Sequence, residues 1–227
     1  MSNPDPHPLQ RLYQVRFKRN LAYRRAVWRV LISDCFQAYA QPTDAVLDLG
    51  CGYGEFIGQV RCGTKYAMDL NPEVPERVGA GITCLIQDCS LRWPLPDHSL
   101  NLVFTSNFFE HLPDKESLGR TLEEAHRCLK PGGRLIALGP NIRHLPGVYW
   151  DFWDHVIPLT ERSLAEALTC RGFLIEQCRD RFLPYTMANG FPYPLLFLRF
   201  YLRLKWLWRL FGRQFLVVAV KGSQEER

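Results

Sequence analysis

No run of about 20 mostly apolar residues occurs in this 227-residue chain, so a membrane-spanning helix is not expected. The longest charge-free stretch near the C-terminus, Phe182 to Leu198, is broken by Pro184, Asn189, Gly190, Pro192 and Pro194. A secretory leader is not expected either, because Met1 to Pro8 is polar and rich in proline. The eight cysteines (35, 51, 62, 84, 89, 128, 170, 178) form no C-x-x-C pair and show no Cys/His spacing of a metal site. They read as small buried hydrophobes, which predicts free thiols, no metal and a reducing, cytoplasmic setting. Acids are missing from two stretches. Seven Lys and Arg lie between Leu9 and Leu31, and five lie between Leu195 and Gln214. The other 16 basic residues face 23 acids, so two basic arms flank an acidic body. A uniformly basic nucleic-acid binder does not look like this, and no nucleic-acid partner is expected.

What is present is an ordinary globular composition, 47% hydrophobic and 22% charged. From Ala45 onward, short apolar runs alternate with helical patterns, the signature of an α/β chain with a mainly parallel sheet. Strands are expected at 45–49, 66–69, 83–86, 100–104, 134–138, 173–178 and 215–220. The last two, following a helix, predict an antiparallel addition at the sheet edge. A helix is expected from Lys115 to Leu129, with Leu118, Leu122 and Ala125 at helical spacing and a Lys130-Pro131-Gly132-Gly133 turn after it. Another runs from Thr160, a capping residue, to Arg171, with Gly172 placed for a left-handed cap. Only the first ten residues read as disordered.

Val46 to Phe56 carries most of the functional information. A strand that runs into Gly50-Cys51-Gly52 lets the backbone turn sharply and approach a ligand, with a helix N-terminus expected behind it. The dinucleotide fingerprint G-x-G-x-x-G fails here. Glu55 occupies the third glycine position and would repel a pyrophosphate. The second strand ends in Asp69, an acid placed to accept hydrogen bonds from the hydroxyls of a ribose. Asp88 ends the third strand, where it can meet an adenine amino group.

Together these residues resemble the class I S-adenosylmethionine-dependent methyltransferases. Asp48-x-Gly50-x-Gly52-x-Gly54 is similar to the family's first motif, Asp69 to its ribose-binding acid, and Gln87-Asp88-Cys89 to its adenine-contacting motif. Ser106 to Leu112 resembles the segment lining the methyl-transfer site, and Leu129 to Gly133 closes the likeness. Gly139-Pro140-Asn141 and His155 look like the ubiquinone-biosynthesis-type, small-molecule branch. The resemblance implies a Rossmann-like, seven-stranded, mostly parallel sheet with helices on both faces and an antiparallel last strand. It implies S-adenosylmethionine as cofactor, held by Asp48, Gly50, Cys51, Gly52, Gly54, Asp69, Leu70, Asp88, Cys89 and Asn107.

Methyl transfer needs the nucleophile aligned and, for a hydroxyl, its proton removed. His111, His144 and His155 are the candidate bases. The Pro-Pro motif of nitrogen-methylating relatives is missing after the fourth strand, where Ser106-Asn107-Phe108-Phe109 stands. An oxygen of a small-molecule or lipid-linked acceptor is therefore expected, with a carbon on a quinone-like ring as the alternative. A non-catalytic, cofactor-binding relative is a third reading.

The expected organisation is a basic helical extension over 1–40 and a methyltransferase domain over 41–222. Residues 183–213 would form a basic amphipathic insertion before the last strand. On one continuous wheel Phe197, Phe200, Tyr201, Leu204, Leu207, Trp208 and Phe211 share a face, opposite Arg199, Arg203, Lys205, Arg209 and Arg213. Two readings stand for 195–213: packing of that face on the sheet or a second chain, or peripheral contact with the inner face of a membrane.

Overall fold

A computed structural model describes residues 21–185 and 194–222. The expected disorder of residues 1–10, most of the N-terminal basic arm and residues 186–193 of the insertion lie outside them.

Seven strands form one sheet in the order β3-β2-β1-β4-β5-β7-β6. They are β1 (Ala45–Leu49), β2 (Thr64–Asp69), β3 (Thr83–Ile86), β4 (Leu100–Ser106), β5 (Leu129–Pro140), β6 (Phe173–Arg179) and β7 (Gln214–Lys221). The first five pair in parallel. Strand β7 runs antiparallel to both neighbours and is inserted between β5 and β6. The two late strands form the expected antiparallel addition at the sheet edge, with β7 next to β5 and β6 outermost.

The strands are buried on both sides, and their alternation divides the core into two layers. Leu47, Leu49, Val103, Leu135 and Ala137 point to α3 (Lys115–Cys128) and α4 (Glu161–Thr169), meeting Leu118, Leu122, Leu164 and Leu168. Val46, Ala67, Leu102, Phe104 and Ile136 point the other way. There they meet α1 (Leu21–Leu31), the wide turn at Ile32–Phe36 and the short α2 (Val74–Val78). Asp114 caps α3 by accepting the Ser117 N–H at 2.6 Å, and Thr160 forms a reciprocal capping box with Ser163 on α4.

Three local expectations need correction. Residues 52–59 form a chain of turns in place of a regular helix, because Gly52 and Gly54 hold φ +54 and +67. The Lys130–Gly133 turn is an excursion within β5, where pairing with β4 jumps from Leu100–Leu129 to Leu102–Arg134. The long basic helix is two helices, α5 (Leu195–Arg203) and α6 (Lys205–Phe211), broken at Leu204 (φ −94, ψ 77).

Candidate active site

Parallel strands of similar register bring their carboxyl ends to one edge, and the segments that follow them meet there. Asp48 is buried one residue before the end of β1, and its carboxylate accepts the Ile57 N–H at 3.2 Å, tying the glycine loop to the strand. Burial pushes Asp48 up to about 8; the Ile57 bond opposes this, while Glu55 and Asp69 add to it. Gly50 takes φ +67 with Phe108 so close that a Cβ would stand 2.2 Å from its ring. Gly52 takes φ +54 beside open space, and its N–H donates to Asp69 at 2.9 Å. The Asn71 N–H donates to the other Asp69 oxygen at 3.0 Å, so this carboxylate is oriented against the loop.

Leu70, just beyond, is exposed. Asp88 is exposed and accepts the Ser90 N–H at 2.8 Å. Cys89 turns its side chain away from Asp88 into the core. Its thiol lies in the core 3.3 Å from the Thr121 hydroxyl, and its carbonyl accepts the Trp93 indole N–H at 2.8 Å. Gly54, by contrast, packs on Val78 and shapes the loop from behind.

A cavity opens beside Gly50, Cys51 and Gly52, bounded by the end of β4, by residues 152–155 and by α1. Asn107 lines it at φ +51, an uncommon conformation for a residue with a side chain, held by its N–H to the Leu138 carbonyl at 2.9 Å. His111 Nδ1 is 2.8 Å from the Asp154 carbonyl. A carbonyl only accepts, so Nδ1 carries the proton and the neutral ring has its lone pair at Nε2. The His155 ring is 5.0 Å from that of His111 and stacks on Phe152 at 18°. Glu110, 2% exposed, is the third member of this group. Its carbonyl accepts the Val156 and Ile157 N–H groups at 2.8 and 3.1 Å, stitching the 145–157 segment to the end of β4. Burial raises Glu110 to about 7, with His111 opposing and Asp154 adding. The donor atoms of Glu110, His111 and His155 lie within 4.8 Å of one another, a grouping that cysteine spacing could not reveal.

His144 needs correction as a candidate base. A short turn at Ile142–His144 carries it to a second cleft, where Nε2 sits 3.1 Å from the Asp180 carboxylate. Sequence reasoning missed Glu110, Asp154, Tyr185 and Arg24 as cavity residues. An acid beside His111 at a strand end was the one available signal for Glu110. Arg24, from α1, pairs with Glu55 at 2.6 Å, so the acid that spoils the dinucleotide pattern anchors the helix covering the cavity. Burial also raises Glu55, and Arg24 opposes it.

Asp48, Glu55, Glu110 and Asp154 are buried carboxyl groups at one cavity, and among the described residues Arg24 is the one Lys or Arg lining it. A ligand carrying an ammonium and a sulfonium would favour their ionised forms, and the open side of Gly52 gives its chain room. S-adenosylmethionine fits both features.

Residues 47–137 match the methyltransferase domain family. The malonyl-[acyl-carrier protein] O-methyltransferase of Methylococcus capsulatus is 30% identical over 166 residues, 66% of this chain and 58% of that protein. The ubiquinone/menaquinone biosynthesis C-methyltransferase of Vibrio cholerae is 24% identical over 169 residues, 67% of this chain and 63% of that protein. The chain thus spans less than two thirds of either relative. The solved S-adenosylmethionine-dependent methyltransferase of Archaeoglobus fulgidus superposes with a TM-score of 0.64 at 19% identity, covering 93% of this chain and 99% of that one, and shows the same fold. Residues 47–137, which build the glycine loop and the His111 edge, thus carry a methyltransferase domain, and the chain is similar in sequence and in fold to S-adenosylmethionine-dependent methyltransferases.

Proposed function

We propose that this chain methylates an oxygen of a small-molecule or lipid-linked acceptor. The observation that carries the reading is His111, whose Nδ1–H is committed to the Asp154 carbonyl so that Nε2 can take a proton beside the glycine loop. Bound S-adenosylmethionine supplies a sulfonium-activated methyl carbon. The chain supplies the rest. Gly52 leaves room for the cofactor's chain, the Gly52 and Asn71 amides hold Asp69 ready for the ribose, and the cavity aligns the acceptor hydroxyl. His111 Nε2 accepts the hydroxyl proton as the oxygen attacks, and Asp154 stabilises the charged ring from 3.4 Å. His155 stands beside it as the second histidine of the site.

The malonyl-[acyl-carrier protein] relative, named as an O-methyltransferase, supports oxygen as the acceptor atom. A carbon on a quinone-like ring is the second reading, favoured by Trp28, Phe152 and Tyr185 on the cavity wall and by the C-methyltransferase relative. Methyl-labelled S-adenosylmethionine, offered with hydroxylated, carboxylic and quinol acceptors, tests both. Label in a methyl ether or ester supports oxygen, label retained on the ring after ether cleavage supports carbon, and S-adenosylhomocysteine binding without transfer to any acceptor refutes both.

A further inference from the structure

Helices α5 and α6 carry more apolar surface than the fold consumes. Leu195, Leu198, Tyr201 and Leu202 turn inward and join the core layer that holds α1. The Tyr201 hydroxyl donates to the Phe182 carbonyl at 2.5 Å, and the Trp208 indole donates to the Tyr201 carbonyl at 2.9 Å, so this docking is specific. Tyr201 and Trp208 therefore part from Phe197, Phe200 and Phe211, with which a single continuous wheel groups them. Phe197 (65% exposed) and Phe200 stay outside with Leu196 on α5, and Trp206 (59% exposed), Leu210 and Phe211 stay outside on α6.

An exposed arc of a surface helix is ordinarily polar. Here its polar members are Arg199, Arg203, Lys205 and Arg209, and no acid occurs from 195 to 213. Asp34 approaches Arg199 at 3.4 Å from outside the segment. Next to α6, a cleft gathers Arg179, Arg181, Lys205 and Arg209 against Asp180, which His144 already contacts.

We propose that this face docks on a lipid bilayer bearing anionic headgroups. Phe197, Phe200, Trp206 and Leu210 enter the boundary between headgroups and acyl chains, while Arg203, Lys205 and Arg209 meet headgroup phosphates. Charge and polarity together select this occupant. A polyanion such as nucleic acid would satisfy the cations and leave the aromatic side chains in water. A second copy docked symmetrically would bring one cationic face against another. An anionic bilayer takes both sets of side chains. The inference is independent of the acceptor atom and of the candidate base.

The test is sedimentation of the full chain with phosphatidylcholine vesicles, with and without phosphatidylglycerol, at low and high salt. The wild type is expected to pellet with the anionic vesicles at low salt and to be released by salt. A triple Phe197→Ser, Phe200→Ser, Trp206→Ser variant and a triple Arg203→Gln, Lys205→Gln, Arg209→Gln variant should each partition at least about tenfold less. All six positions are exposed, and unchanged S-adenosylhomocysteine binding reports that each variant is folded. Bromine-labelled lipid should quench tryptophan emission in the wild type and quench it less in Trp206→Phe. The proposal is overturned if the wild type stays in the supernatant, if the variants pellet like the wild type, if neutral vesicles bind as well as anionic ones, or if the aromatic triple abolishes self-association and not vesicle binding.

Discussion

Replacing Glu110 by Gln tests whether the candidate site is built around a carboxyl that folding makes hard to ionise. Burial lifts this group from 4.5 to about 7, so ionisation costs more in the folded chain than in the unfolded one. A raised carboxyl costs nothing below the unfolded value. The cost accumulates as pH climbs from 4.5 to 7 and stays constant above. At 1.36 kcal/mol per pH unit, the interval corresponds to about 3 kcal/mol. Gln has nearly the same shape and cannot ionise. Urea denaturation of both proteins at steps from pH 4.5 to 8 gives a difference curve in which Asp48, raised in the same direction, cancels. The Gln variant, offset at low pH by its lost interaction with His111, should gain about 3 kcal/mol on the wild type across the interval. A difference curve that is flat with pH would show that Glu110 ionises freely, and the electrostatic account of this site would be wrong.

Further outcomes follow from other parts of the site. Asp69→Ala should weaken S-adenosylhomocysteine binding by about 1.5–3 kcal/mol in calorimetric titration, and unchanged affinity would remove Asp69 from the site. Gly50→Ala should lower stability by about 1–3 kcal/mol, because the new Cβ meets Phe108 at a positive φ; adding Phe108→Ala should recover part of that in thermal melts. His111→Ala should slow labelled-methyl transfer by about a hundredfold or more while cofactor affinity holds, whereas His144→Ala, in the other cleft, should not.

The elements that the sequence spells out are those with local punctuation. Each parallel strand runs into Gly, Asp or Asn, and Thr160 with Ser163 marks the start of α4 as clearly as any cap can. Asp69 and Gly52 are 17 residues apart and meet only because β1 and β2 pair in parallel, a relation that the βαβ rhythm does announce. The break at Leu204 has no glycine or proline to signal it, so a wheel drawn through 195–213 runs two helices together and groups the docked Tyr201 and Trp208 with the exposed Phe197, Phe200 and Phe211. His144 and His155 are 11 residues apart and look equivalent on paper. A single short turn sends one to Asp180 and leaves the other against His111. Glu110 was hidden for a different reason. Its role depends on being dry, and dryness is set by the 145–157 segment folding over it.

Because β7 lies between β5 and β6, the order of synthesis differs from the order of assembly. Within the sheet, β6 has β7 as its single partner, and β5 needs β7 to cover its second edge. Thirty-five positions separate Arg179 from Gln214, so at about 5–20 residues per second a nascent chain waits some seconds with both strands open. Open strand edges of this kind template pairing with other chains. The segment made in that interval includes α5 and α6, whose Phe197, Phe200, Trp206, Leu210 and Phe211 stay exposed, so the ribosome-bound intermediate offers a sticky edge and a greasy face at once. Pairing of Gln214–Lys221 with both neighbours is what closes those edges.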